Sequence, residues 1–147
     1  MKIGKWFYLK EFVESETAKA KNISNFPNLD QLRALKFLVD KVLDPLRDAV
    51  GIPVRVTSGF RSPCLNKAVG GSPTSDHVLG RASDIKADGL DATQLMREVL
   101  AAGIEFDQMI GYVPEKGGHV HISWREDGNR KEVLWVGKSG KYVKWKG

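Results

Sequence analysis

The run His119-Val120-His121-Ile122-Ser123-Trp124 restricts the fold more than any other segment of the chain. On a strand, side chains two apart project to the same side. His119, His121 and Ser123 therefore share one side, and Val120, Ile122 and Trp124 the other. Such a strand requires an apolar core beneath one side and a cleft or solvent above its imidazoles. Residues 82–87 alternate in the same way, with Ala82, Asp84 and Lys86 opposite Ser83 and Ile85. If these two strands are neighbours, Asp84 meets His121 beneath the segment that carries His77.

Other elements can be read around this pair. Residues 7–22 suit short helix and loop, anchored by Leu9 and Phe12. From Leu29, apolar residues recur at helical steps (Leu32, Leu35, Leu38, Val39, Val42, Leu43, Leu46, Val50). Asn28 and Gln31 have capping-box spacing. Pro45 cannot donate to the carbonyl of Lys41, so a kink or break is predicted near Leu43 and Asp44. Gly51 suits the C-terminal stop. A short strand at 54–57 is followed by a long Gly-, Ser- and Pro-rich loop up to Gly80, and loops of that length are commonly functional. Asp91 with Gln94 opens a second helix carrying Leu95, Met96, Val99 and Leu100, and Gly103 closes it. Strands are predicted at 106–113, 119–124, 132–136 and 142–145, the last two forming a hairpin through Gly137-Lys138-Ser139-Gly140. Helices early and strands late indicate an α+β fold, with helices packed on a small, largely antiparallel sheet. A length of 147 residues predicts one domain, with residues 131–147 as a hairpin extension.

Composition narrows the function classes. With 41% hydrophobic and 28% charged residues the chain is not of disordered type. No apolar run approaches the length of a membrane span. The start lacks a long apolar stretch before a small-residue cleavage site, so synthesis in the cytoplasm is expected, with any action at a wall or in a periplasm depending on release. Cys64 is the only cysteine, which excludes an intrachain disulfide and a cysteine zinc cluster. A net charge of +5 favours polyanionic surroundings, including nucleic acid, anionic lipid and acidic wall polymers. Lys138, Lys141, Lys144 and Lys146 alternate with Tyr142 and Trp145, a pattern that can grip single-stranded nucleic acid. A lysine-protected edge strand accounts for it better.

The three histidines, His77, His119 and His121, together with Asp84, carry the chemistry. Two imidazoles and a carboxylate suit a zinc ion that keeps a position open for water. A His-x-His pair on an exposed strand face is more often a solvated polar face than a ligand pair, and Asp84 has Lys86 and Arg81 as alternative partners.

A resemblance adds to this reading. Ser75-Asp76-His77-Val78-Leu79-Gly80-Arg81-Ala82-Ser83-Asp84 fits the pattern S-x-H-x-x-G-x-A-x-D. It resembles the first metal motif of the zinc D-Ala-D-Ala carboxypeptidase family, which includes phage endolysin peptidases and relates to hedgehog-type and lysostaphin-type domains. Ser58-Gly59-Phe60-Arg61-Ser62, with Asn66 and Val69-Gly70-Gly71, is similar to the family's S-G-[FY]-R-S…N…V-G-G segment. His119-Val120-His121-Ile122-Ser123 is similar to its closing strand, and Leu43-Asp44-Pro45-Leu46-Arg47 resembles the helix before the arginine loop. The similarity covers about residues 7–124. It implies one Zn2+ held by His77, Asp84 and His121. Arg61 would bind a substrate carboxylate or polarised carbonyl, Ser75 the substrate backbone, and His119 would line the cleft. Gly80 and Ala82 would be small because the chain passes close to the metal. The implied activity is hydrolysis of peptidoglycan stem peptides, as a D,D-carboxypeptidase or endopeptidase, by a monomer.

The match fails at one position. In much of the family an acidic residue stands three positions before the last histidine ligand, and that position is Gly118 here. Glu115 is the preferred replacement as general base, with Asp107 and His119 as alternatives. A zinc-containing module that binds wall peptide or a protein partner without cleaving it is the competing reading.

Overall fold

A computed structural model describes residues 1–113 and 118–147. Two short helices, α1 (Lys10–Val13) and α2 (Glu16–Ala20), precede α3 (Leu29–Leu38). Phe12 of α1 is fully buried and meets Phe7 edge-on at 5.9 Å between ring centroids. The capping box at the start of α3 is present: Gln31 N donates to Asn28 Oδ1 and Asn28 N to Gln31 Oε1, both at 2.8 Å. Packing of its apolar face, more than helix propensity, holds α3. Leu35 and Leu38 supply that packing.

The expected break near Leu43 takes a milder form. The chain passes from α3 through a π-helical turn, Val39–Leu43, directly into α4 (Asp44–Val50). Pro45 offers no N–H to the Lys41 carbonyl. The wider turn, in which Asp44 N donates to Val39 O, absorbs that loss without interrupting the helix. Gly51, at φ 68°, closes α4 through a bond from its N–H to Arg47 O.

Next come β1 (Val54–Ser58), α5 (Pro63–Ala68), β2 (Ala82–Ala87) and α6 (Ala92–Ala101). Helix α5 lies within the segment expected to be all loop. Ser62 caps it by accepting from Leu65 N, Pro63 sits in its first turn, and Leu65 is buried. The Ser-Pro start carries a helix signal that the surrounding glycines and serines obscure.

The remaining strands are β3 (Gln108–Tyr112), β4 (His119–Ser123), β5 (Glu132–Val136) and β6 (Tyr142–Lys144). The six strands are ordered β1-β2-β4-β3-β5-β6. Every pairing is antiparallel except β3 with β5. Strand β4 occupies one side of β3, so the chain after β4 crosses to the other side and β5 enters in the direction of β3.

Ile85, Met109, Val120 and Ile122 are buried on one face of the sheet, in one core with the α3–α4 residues Leu35, Leu38, Val42 and Leu46 and the α6 residues Leu95, Met96 and Val99. Gly111 leaves room for Met96, whose Sδ a Cβ there would strike. Trp124 stacks on Phe37 at 5.4 Å. The opposite face carries Asp84, Ile110, Tyr112, His119 and His121.

Candidate metal centre

Asp84 and His121 are direct partners across the β2–β4 ladder. His121 Nδ1 lies 3.0 Å from Asp84 Oδ1. His77, on the loop before β2, brings Nε2 to 3.2 Å from the same oxygen. One donor atom from each of the three residues lies within 4.8 Å of the others. Atoms this close can share an ion at the roughly 2.0–2.2 Å bond lengths of zinc.

The loops that deliver His77 are clasped from both sides. His77, only 3% exposed, points Nδ1 at the Gly59 carbonyl, 2.7 Å away, while its own carbonyl accepts from Arg61 N at 3.2 Å. Gly59 must be glycine, because a Cβ there would lie 2.6 Å from the Phe12 backbone. Ser75 Oγ accepts the His77 N–H, and Gln31 Nε2 donates to Val78 O at 3.1 Å. Gly80 has a reason for being small other than the one the resemblance implies. It adopts φ +73°, and a Cβ would strike the Gln31 carbonyl of α3.

This arrangement fits a cation. A carbonyl oxygen only accepts, so the proton of a neutral His77 ring sits on Nδ1 and the Nε2 lone pair faces a carboxylate oxygen. Two acceptors at 3.2 Å repel unless a proton or a metal ion lies between them. Burial pushes the Asp84 carboxyl up, but the His121 and His77 rings that face it outweigh burial and hold the group well below the usual carboxylate range. Asp84 is therefore an anion, and two nitrogens with one carboxylate oxygen form a zinc-type donor set.

Arg61 stands beside this cluster, with Nη2 3.8 Å from Asp84 Oδ2. Its Nε donates to Ser58 Oγ and its Nη1 to Asn66 Oδ1, both at 3.2 Å. Buried Asn66 in turn donates to Ser72 O. The sequence reading gave Asn66 no role, and its motif position was the only signal for one. On the other side His119 stacks on Tyr112 at 4.6 Å, and burial holds its imidazole below the ordinary value. Arg61, Ser75, Gln108, Tyr112, His119 and Tyr142 all line the cleft around the three donors.

A model of the family described as peptidase M15 matches residues 5–123. The chain belongs to the peptidase M15 family. M15 peptidases are zinc-dependent metallopeptidases related to the D-Ala-D-Ala carboxypeptidases. The matched segment contains His77, Asp84, His121, Arg61 and Ser75, and it ends before β5. No curated protein matches the chain. Among the described residues no helix is long and apolar enough to cross a membrane.

The position where the resemblance calls for an acidic residue has no room for a side chain on this backbone. Gly118 sits at φ +68°, and a Cβ would collide with the Tyr112 carbonyl. Gly118→Ala is expected to destabilise the protein by about 1–3 kcal/mol, from the left-handed backbone and the lost space. Urea denaturation measures this, and an unchanged midpoint would remove the steric account. Glu115, the preferred base, lies outside the described residues. Asp107, a second candidate, is not free to act as a base in this M15 peptidase. Its buried carboxylate receives Arg130 N, Nε and Nη2 at 3.2, 3.0 and 2.9 Å, with Arg125 Nε 3.1 Å away. The C-terminal aromatics are also engaged: Trp145 packs against the core beneath Arg97, and Tyr142 bonds to Tyr112. That weakens the hairpin's case as a nucleic-acid stacking platform.

Proposed function

We propose that this M15 peptidase hydrolyses peptidoglycan stem peptides, as a D,D-carboxypeptidase or endopeptidase of the D-Ala-D-Ala type. One zinc ion is held by His77, Asp84 and His121. The observation that carries the reading is the pairing of two imidazole nitrogens with one buried carboxylate oxygen, on a loop and two strands clasped by Gly59 and Gln31. Bound zinc polarises a scissile carbonyl and lowers the pKa of water to about 7.

The chain's own residues complete the work. Arg61, oriented by Ser58 and Asn66, presents a permanent planar cation to the substrate's carboxylate or to negative charge developing on its carbonyl. Ser75 Oγ, after accepting the His77 N–H, keeps its own O–H to offer the substrate backbone. An imidazole nitrogen of His119 takes a proton from the attacking water and returns it to the leaving amine, a role it shares with or cedes to Glu115. All 147 residues act as one monomeric domain, with the β5–β6 hairpin as an extension, at a cell wall reached after release, as a lysin-like enzyme does. Gly118 favours the second reading, a zinc-holding module that binds wall peptide without cleaving it.

The test is digestion of purified peptidoglycan with mass spectrometry of the fragments. Release of fragments that stops on chelation and resumes with zinc supports the peptidase, and the fragment masses name the bond. One bound zinc with intact peptidoglycan supports the module.

A further inference from the structure

The sheet places a row of residues from four strands on the cleft face. His119 pairs with Tyr112, Tyr112 with Val136, and Val136 with Tyr142. Over Val136 the two tyrosines lean together, their rings 6.1 Å apart and nearly perpendicular, with their hydroxyls 2.9 Å apart. Sheet order puts Arg61 and Asp84 on the β1–β2 side of the histidines and this pair on the β3–β6 side. Both tyrosines line the same cleft as the three donors.

We infer that Tyr112 and Tyr142 form a hydrogen-bonding subsite for the substrate peptide, across the cleft from Arg61, and that the C-terminal hairpin thereby helps select the substrate. Two phenolic hydroxyls carry two protons and their mutual bond uses one; with half-buried Tyr112 donating, the O–H left for a peptide carbonyl or carboxylate is that of exposed Tyr142. The stacked His119 fixes the Tyr112 ring on one flank. Tyr142 remains 58% exposed, so a ligand can reach it. It also lies beyond the residues that match the family, which end at 123. The Tyr142 half of this wall thus comes from outside the matched segment, while Tyr112 lies within it.

The inference rests on the peptidase reading, and the experiment separates the two. The probe is a soluble disaccharide-pentapeptide muropeptide, offered to zinc-loaded wild-type, Tyr142→Phe and Tyr8→Phe proteins, the last being an exposed tyrosine outside the cleft. The phenylalanine keeps the ring and removes one hydroxyl. KM for Tyr142→Phe is expected to rise about 3- to 10-fold, the worth of one hydrogen bond. Its kcat is expected to stay within about twofold, with zinc content and melting temperature unchanged. Tyr8→Phe is expected to match wild type. If the protein binds the muropeptide without cleaving it, the same shift is read in Kd. A wild type that turns over with Tyr142→Phe indistinguishable from it overturns the subsite alone. Loss of zinc or of thermal stability in step with KM also overturns it, by making the role structural. A wild type that neither binds nor cleaves the muropeptide overturns the peptidase reading, and the subsite with it.

Discussion

Asp84→Ala is expected to release the metal and reduce wall-peptide hydrolysis by about 10³-fold or more, since a metallopeptidase without its ion loses both the activated water and the Lewis acid. Asp84 is the one carboxylate in the cluster, and both imidazoles meet the same oxygen of it. Its removal leaves two neutral nitrogen donors with no charge to offset a divalent cation. Loss of a residue that only orients a ligand commonly weakens metal binding about 10- to 100-fold, and loss of a ligand costs more. Zinc content of the dialysed variant, measured beside circular dichroism, checks the first effect, and muropeptide release checks the second. A folded variant that keeps one equivalent of zinc and its activity would show that the ion sits elsewhere.

The second large effect concerns stability. Asp107→Ala is expected to lower unfolding free energy by about 2–4 kcal/mol, because it removes a carboxylate with 0% side-chain exposure that accepts from the Arg130 backbone N–H and guanidinium and forms an ion pair with Arg125. Arg125 and Arg130 are 40% and 51% exposed and regain water, which keeps the loss below the top of the range for buried ion pairs. For a chain of this size the melting temperature would fall by roughly 4–16 °C. The sign with pH follows from the carboxyl group. Burial raises it, but Arg130 and Arg125 outweigh burial and hold it below its ordinary value in the folded state. The stabilisation is complete above about pH 4, where the unfolded carboxyl is ionised, and disappears as pH falls through the lower folded value. The gap between wild type and variant in urea midpoints is therefore expected to be widest near neutrality and to narrow in acid. A gap independent of pH would assign the loss to packing instead.

What the sequence disclosed follows from the range of each interaction. The alternation in 82–87 and 119–124, the capping boxes at Asn28 and Asp91 and the stop at Gly51 are local, and the structure contains each of them. The meeting of Asp84 and His121 depended on β2 and β4 being neighbours, which alternation alone could not decide and which the β2–β4 ladder supplies. The clasp on His77 was hidden because its partner is a backbone carbonyl, and a backbone atom leaves no mark of its own in a sequence. Tyr112 and Tyr142 are 30 positions apart and meet only because β5 crosses to the far side of β3. Asp107 looked like an available acid from its place on the strand predicted at 106–113. Only the fold reveals the arginine 23 residues later that occupies it.

Gln31 has a consequence for dynamics. The same side chain closes the first turn of α3 and anchors the segment bearing His77, while the helix carbonyl lies under Gly80. Fraying at that helix end and loosening of the imidazole are therefore one event, with a shared opening free energy. Ion occupancy must then be felt more than a ligand sphere away: amide protons in the first turn of α3 exchange more slowly as zinc concentration rises, by the amount mass action assigns to the closed state.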